Sequence, residues 1–250
     1  MKSFLPNLIT LLNLLCGCIA ALYAFQDDLL MAGIFVGAGI FFDFFDGLVA
    51  RTLRVSSPLG TQLDSLADMV TSGLVPGIAM FQMLKDAVGL NVWDQDDRIF
   101  IIDEPTAWLA LLGFLITLGS CYRLAKFNID DRQTDSFIGV PTPANAIFII
   151  SLGILAQQTQ ITWLFETLTN PYILLGLTLF STYILNAELP LFALKFKNWG
   201  LAGNKIRYAF ICISIVLIAT LKIYAIPCVI LIYILMSLIY QWLRKPSQKV

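Results

Sequence analysis

The sequence predicts an all-α polytopic membrane protein. Three observations carry that expectation. Of 250 residues, 58% are hydrophobic and only 13% charged, where a soluble domain averages about 45–50% and about 25%. The mean hydropathy is +0.79. The apolar residues gather in runs near the roughly 20 residues that a helix needs to cross a hydrocarbon core. One water-facing core could not hide this much apolar surface. The net charge of −1 gives no electrostatic case for nucleic acid.

About eight transmembrane helices are expected, over 5–25, 29–52, 60–84, 106–128, 141–159, 171–189, 207–222 and 225–243. The first reads as a span rather than a cleaved leader. It carries one Lys and no clear small-x-small cleavage site, Asn13 lies inside it, and further spans follow. The connection 53–59 is short, so the second and third helices are antiparallel neighbours. Pro105, Pro171 and Pro227 stand near helix starts, where a missing N–H costs least. No repeat or long linker divides the chain. Residues 1–250 read as one membrane domain, with a catalytic core over about 1–189 and two further C-terminal spans over about 207–243.

Charge sets the orientation. With the N-terminus in the cytoplasm, thirteen basic residues fall on the inner side and only Lys85, Arg98 and Lys222 on the outer. The positive-inside rule is met, and an even number of spans returns the C-terminus to the cytoplasm. The outer loop 85–104 is acidic and reads as a solvated loop. Segment 190–207, with Phe196 and Trp199 beside Lys195 and Lys197, suits an interface with anionic headgroups.

Histidine is absent, which removes every mechanism built on a His base or ligand. The five cysteines lie in apolar runs without a CxxC pair and read as small buried residues. Any bound metal must take oxygen ligands, which favours hard cations such as Mg²⁺ or Mn²⁺.

Four aspartates interrupt the apolar runs: Asp43, Asp46, Asp64 and Asp68. A carboxylate at membrane depth costs about 2.5–3.5 kcal/mol on insertion scales, so four need compensation. On a helix, the first pair lies about 60° apart and the second about 40° apart, so each lines one face. Facing carboxylates repel unless cations sit between them, and a two-metal site is a recurrent device of phosphoryl transfer. The other reading is a proton or cation path through a transporter. Gly47, Ala50 and Gly60 are small enough to let a ligand approach the backbone. Arg51 offers a planar fork of donors to a diphosphate.

The run Asp43-x2-Asp46-Gly47-x2-Ala50-Arg51-x8-Gly60-x3-Asp64-x3-Asp68 has eight fixed positions over 26 residues. It resembles, without departure, the signature of the CDP-alcohol phosphotransferase family. The resemblance implies a helical membrane enzyme that passes a phospho-group from a CDP-linked donor to an alcohol, with two divalent cations, Mg²⁺ or Mn²⁺. It implies that Asp43, Asp46 and Asp64 are metal ligands, and that Asp68 completes the second metal site and is the catalytic base. Gly47, Ala50 and Gly60 would lie against the cytidine, and Arg51 would contact the diphosphate. It also implies a homodimer in a bacterial inner (plasma) membrane, with the site facing the cytoplasm.

Three other stretches, LPNLITLLNLLCG, YRLAKFN and GVPTPANA, look like elements of the integral-membrane phosphatidylserine synthase branch. That resemblance implies CDP-diacylglycerol as donor and L-serine as acceptor. Arg123, Lys126 and Asn128 are the candidate acceptor-binding residues, though an ordinary positive-inside cluster reads the same way. Glycerol 3-phosphate, inositol phosphate or an amino alcohol stays open as acceptor. Glu188 has no role that the sequence suggests.

Overall fold

A computed structural model describes residues 4–55, 57–90, 107–130, 137–191, 200 and 204–244. Most of the acidic loop, the basic segment around Lys195 to Trp199, Arg132, Pro105 and both termini lie outside these residues. The described chain is helical apart from one antiparallel two-residue pairing, Phe137–Ile138 with Pro190–Leu191.

Helix α1 (Phe4–Phe25) and α2 (Leu29–Leu53) form a hairpin. Asp28 caps α2 by accepting from Met31 N at 3.0 Å. Arg54 ends it in the left-handed conformation, φ 53°. Ser57 then caps α3 by accepting from Gly60 N at 3.0 Å, with Pro58 in the first turn. The turn is therefore tight, and α2 and α3 run antiparallel as the short connection predicts.

Helix α3 runs from Pro58 to Ala87 and is the most buried of the long apolar helices. Its middle, Met69–Leu74, is π-helical, and Val75 N–H reaches back five residues to Val70 O. Pro76 follows at once. It has no N–H for the regular ladder and its ring would press on the preceding turn, so the wider turn absorbs the misfit. Helix α4 (Trp108–Ile129) tightens to a 3-10 turn at Leu112–Phe114. Helix α5 (Thr142–Gln158) begins at the two prolines of GVPTPA, with Pro141 in its cap. Helices α6 (Thr162–Leu168) and α7 (Pro171–Asn186) meet at 65°. Helices α8 (Lys205–Leu221) and α9 (Ala225–Arg244) flank a 3-10 turn at Lys222–Tyr224. The rings of Phe210 and Tyr233 lie 5.7 Å apart, so α8 and α9 fold back as a hairpin rather than one long rod.

The eight expected positions are helical where described, but a count of eight spans is not confirmed. Among the described residues, length and apolarity select α1, α2, α3, α4 and the stretch Lys205–Tyr240 that holds the α8–α9 hairpin, with α6 and α7 adding a sixth if they make one bent span. Helix α5 has only 17 residues. The sequence reading also missed α6, whose seven residues are too few to carry a periodic signal.

Small residues set the spacing of α1, α2 and α3. A Cβ on Gly39 of α2 would stand 2.7 Å from Thr71 Cγ2 and 2.8 Å from Asn13 Oδ1. The three backbones meet closely there only because this side chain is missing. One core cluster then continues through α3, α5 and α7, with Tyr224 and Ile230 of the terminal hairpin packed against it. At the end away from the aspartates, Gln82 donates to Ala24 O and Phe25 O at 3.1 and 2.7 Å. Gln157 donates there to Asp27 O at 2.8 Å.

Candidate active site

The α2–α3 hairpin brings the paired carboxylates together, as their spacing predicts. One carboxylate oxygen each from Asp43, Asp46 and Asp64 lies within 4.8 Å of the others. Asp68 sits one turn farther along α3, where Asn13 Nδ2 donates to its Oδ1 at 3.3 Å. Asp46 is buried, and Thr10 Oγ1 donates to its Oδ2. Every member of the set is an oxygen donor, the type that hard divalent cations prefer. Among the described residues, no Lys or Arg forms an ion pair with any of the four. Like charges this close need positive charge from somewhere, and the donor set fits metal ions.

A cleft of about 200 Å³ opens beside the carboxylates, between the starts of α1 and α3 and the end of α2. Its walls include Asn7, Thr10, Gly47, Ala50, Gly60 and Thr61. All three small residues singled out in the sequence are there. A Cβ on Gly47 would meet nothing within 4 Å, so this position faces open space. Arg51 is exposed in the last turn of α2 and does not line the cleft.

The three basic or amide residues of α4 divide. Arg123 is buried and lies within electrostatic reach of Asp68. Its Nε–H has no partner among the described residues. Lys126 turns to Glu188, Nζ to Oε1 at 3.7 Å. Asn128 is engaged with Ser65 of α3, the two side chains lying 2.9–3.1 Å apart. Arg123 thus approaches the aspartates, whereas Asn128 ties α4 to the first half of α3.

The comparisons with known proteins fall on this same region. A family model described as CDP-alcohol phosphatidyltransferase matches residues 3–184. The chain belongs to the CDP-alcohol phosphatidyltransferase family. Among this family's members it is similar to the CDP-diacylglycerol–serine O-phosphatidyltransferase of Bacillus subtilis, at 33% identity over 155 residues. That alignment covers 60% of this chain and 76% of the relative. An enzyme of the same description from Mycobacterium tuberculosis is 29% identical over 168 residues, 64% of this chain and 52% of the relative. The archaetidylserine synthase of Methanothermobacter thermautotrophicus is 30% identical over 149 residues, 59% of this chain and 56% of the relative. The alignments thus span about three quarters of the first relative and about half of the other two.

The α1 contribution to the CDP-alcohol phosphatidyltransferase site escaped the sequence reading. Asn7, Thr10 and Asn13 recur every three residues in an otherwise apolar run, so they share a face. That face meets the aspartates through Thr10 and Asn13 and the cleft through Asn7. The periodic polar residues were the available signal.

Proposed function

We propose that this protein transfers the phosphatidyl group of CDP-diacylglycerol to the hydroxyl of L-serine, giving phosphatidylserine and CMP. The observation that carries the reading is the convergence of Asp43, Asp46 and Asp64 within 4.8 Å beside a cleft walled by Gly47, Ala50 and Gly60. The names of the relatives support the donor and the acceptor.

In this mechanism Asp43, Asp46, Asp64 and Asp68 hold two divalent cations, Mg²⁺ or Mn²⁺. Bound there, such ions supply Lewis-acid neutralisation of a pyrophosphate. Gly47, Ala50 and Gly60 admit the cytidine, and Arg51 takes a diphosphate oxygen from the rim. Asp68 receives the proton of the serine hydroxyl, held in place by Asn13. The serine oxygen forms a bond to the phosphorus that carries diacylglycerol. The bond from that phosphorus to the CMP oxygen breaks, and CMP leaves. Arg123, buried behind Asp68, binds the serine carboxylate. Lys126 and Asn128 border the acceptor path and help hold α4, α3 and the segment after α7 together.

The positive-inside pattern supports a cytoplasmic site, and the resemblance supports a bacterial inner membrane and a homodimer. Residues 1–250 act as one membrane domain, since the terminal hairpin packs on the common core. The test uses purified protein in lipid nanodiscs with CDP-diacylglycerol and Mn²⁺ or Mg²⁺. L-serine, glycerol 3-phosphate and inositol phosphate are offered in parallel, and CMP release is measured. Release with serine above the other two is expected. Release only with a phosphorylated acceptor overturns the choice of serine, and no release with any acceptor favours an ion-coupled transporter.

A further inference from the structure

Behind Asp68, polar side chains of α4 and α7 are buried without enough partners. Ser120 and Arg123 stand three residues apart on α4 and share a face. That face meets the π-helical turn of α3, where a Cβ on Gly73 would lie 3.2 Å from Ser120 Cβ. From the other side, Asn186 at the end of α7 donates to Gly119 O at 3.0 Å and Thr182 O at 3.2 Å. Its amide is thereby fixed one residue from Ser120 and one turn from Arg123.

Three atoms in this group have neither solvent nor partner among the described residues: Arg123 Nε, Ser120 Oγ and Asn186 Oδ1. Ser120 is fully buried and Arg123 is 8% exposed. Buried polar atoms are nearly always paired, so three together point to a missing polar occupant. They differ in kind: Arg123 offers a charged donor, whereas Asn186 offers an acceptor and Ser120 a hydroxyl that accepts. The occupant must accept at one end and donate at the other. An α-amino acid does both.

We propose that Asn186 Oδ1 and Ser120 Oγ receive the ammonium group of the acceptor amino acid while Arg123 takes its carboxylate. This rests on the proposed serine transfer and adds the group that selects for the zwitterion. Neutral oxygens suit the task. A carboxylate at position 186 would compete for Arg123 in the absence of substrate. An amide leaves Arg123 available and still accepts from an ammonium. A phosphorylated acceptor brings hydroxyls but no cation to these two oxygens, which disfavours it against an ammonium.

The experiment compares L-serine with 3-hydroxypropanoate, which keeps the hydroxyl and carboxylate but lacks the ammonium. CMP release is followed at saturating CDP-diacylglycerol. Where the analogue does not turn over, its inhibition constant against serine replaces its kcat/KM. The wild type should favour serine by about 10- to 150-fold, the range for hydrogen bonds to a charged group. Ser120→Ala and Asn186→Ala should each lose serine efficiency, leave 3-hydroxypropanoate nearly unchanged, and so shrink that ratio. Their KM for CDP-diacylglycerol should not move. Ser120→Ala is the cleaner variant, because its hydroxyl has no partner to lose. A parallel fall for both compounds, with wild-type serine activity intact, overturns the ammonium assignment alone. No wild-type activity with serine overturns the acceptor reading, and this assignment falls with it.

Discussion

Replacing Asn13 by Leu separates its contribution to the chemistry from its contribution to the fold. Leu has the same branched shape as Asn, so the close packing against Gly39 survives. The lost interaction is the donation from Asn13 Nδ2 to Asp68 Oδ1 at 3.3 Å. A hydrogen bond to a charged group contributes about 1.5–3 kcal/mol. This one is longer than the 2.7–2.9 Å usual for such bonds, which argues for the lower half of the range. About 1.5–2 kcal/mol corresponds to a loss of about 10- to 30-fold in kcat. Stability should move the other way. Asn13 Oδ1 is buried without a partner, and Leu removes that unsatisfied atom from an apolar span. The link from Thr71 Oγ1 to the backbone oxygen of residue 13 stays. CMP release and a thermal-unfolding curve on the same preparation decide the matter. A reduced kcat with an unchanged or higher Tm and an unchanged KM for CDP-diacylglycerol is expected. An unchanged kcat would falsify the positioning role, and an activity loss that tracks a lower Tm would assign Asn13 to the fold alone.

Asp68→Asn should lower turnover by at least about 100-fold, the lower limit for a general base, while CDP-diacylglycerol still binds. Near-normal CMP release rules out the base. Activity should vanish in EDTA and return with Mg²⁺ or Mn²⁺ but not Zn²⁺, since every donor is an oxygen. Turnover in chelator refutes the metal reading. Arg123→Ala should raise the KM for serine, and Arg51→Ala the KM for CDP-diacylglycerol. Matching donor defects in the two variants would move Arg123 to the diphosphate. At the opposite end of the bundle, burial and then the neighbouring Asp86 raise the carboxyl of Asp27 above its usual range, against a smaller lowering by Lys85 and Gln157. The folded state holds this proton more tightly than the unfolded chain. Its stabilising effect is therefore full at low pH and lost as pH rises through the folded value. Asp27→Asn should raise Tm at pH 7 and change little near pH 3. Asn also tolerates the φ of 63° found there. A lower Tm at pH 7 contradicts this.

The parts of the site legible in the sequence were those written in local spacing. Asp43, Asp46, Asp64 and Asp68 declare their faces by helical period, and the short turn ending at Ser57 and Pro58 declares the pairing of their helices. What α4 does with its polar residues was not legible. Lys126 and Asn128 differ by only two positions from each other. Only packing determines that one meets Glu188 and the other Ser65. Thr10 and Asn13 were visible as polar interruptions, but their partners lie 36 and 55 residues away. The count of eight spans is not confirmed for a length reason: among the described residues α5 has only 17 residues, short of the roughly 20 that a crossing helix needs.

The π-helical turn at Met69–Leu74 holds one residue more than a regular helix would use for the same rotation. In an unbroken α-helix an extra residue rotates everything beyond it by about 100°. The wide turn takes up that rotation locally, so the half that carries Asp64 and Asp68 keeps its facing relative to the half that packs around Pro76. Forcing the turn into regular α-helix at unchanged length would swing the two carboxylates about a quarter-turn away from α1 and α2 without altering any residue of the signature. A chain with every signature residue present can thus be inactive through phase alone, and deleting one residue from the regularised turn can restore it.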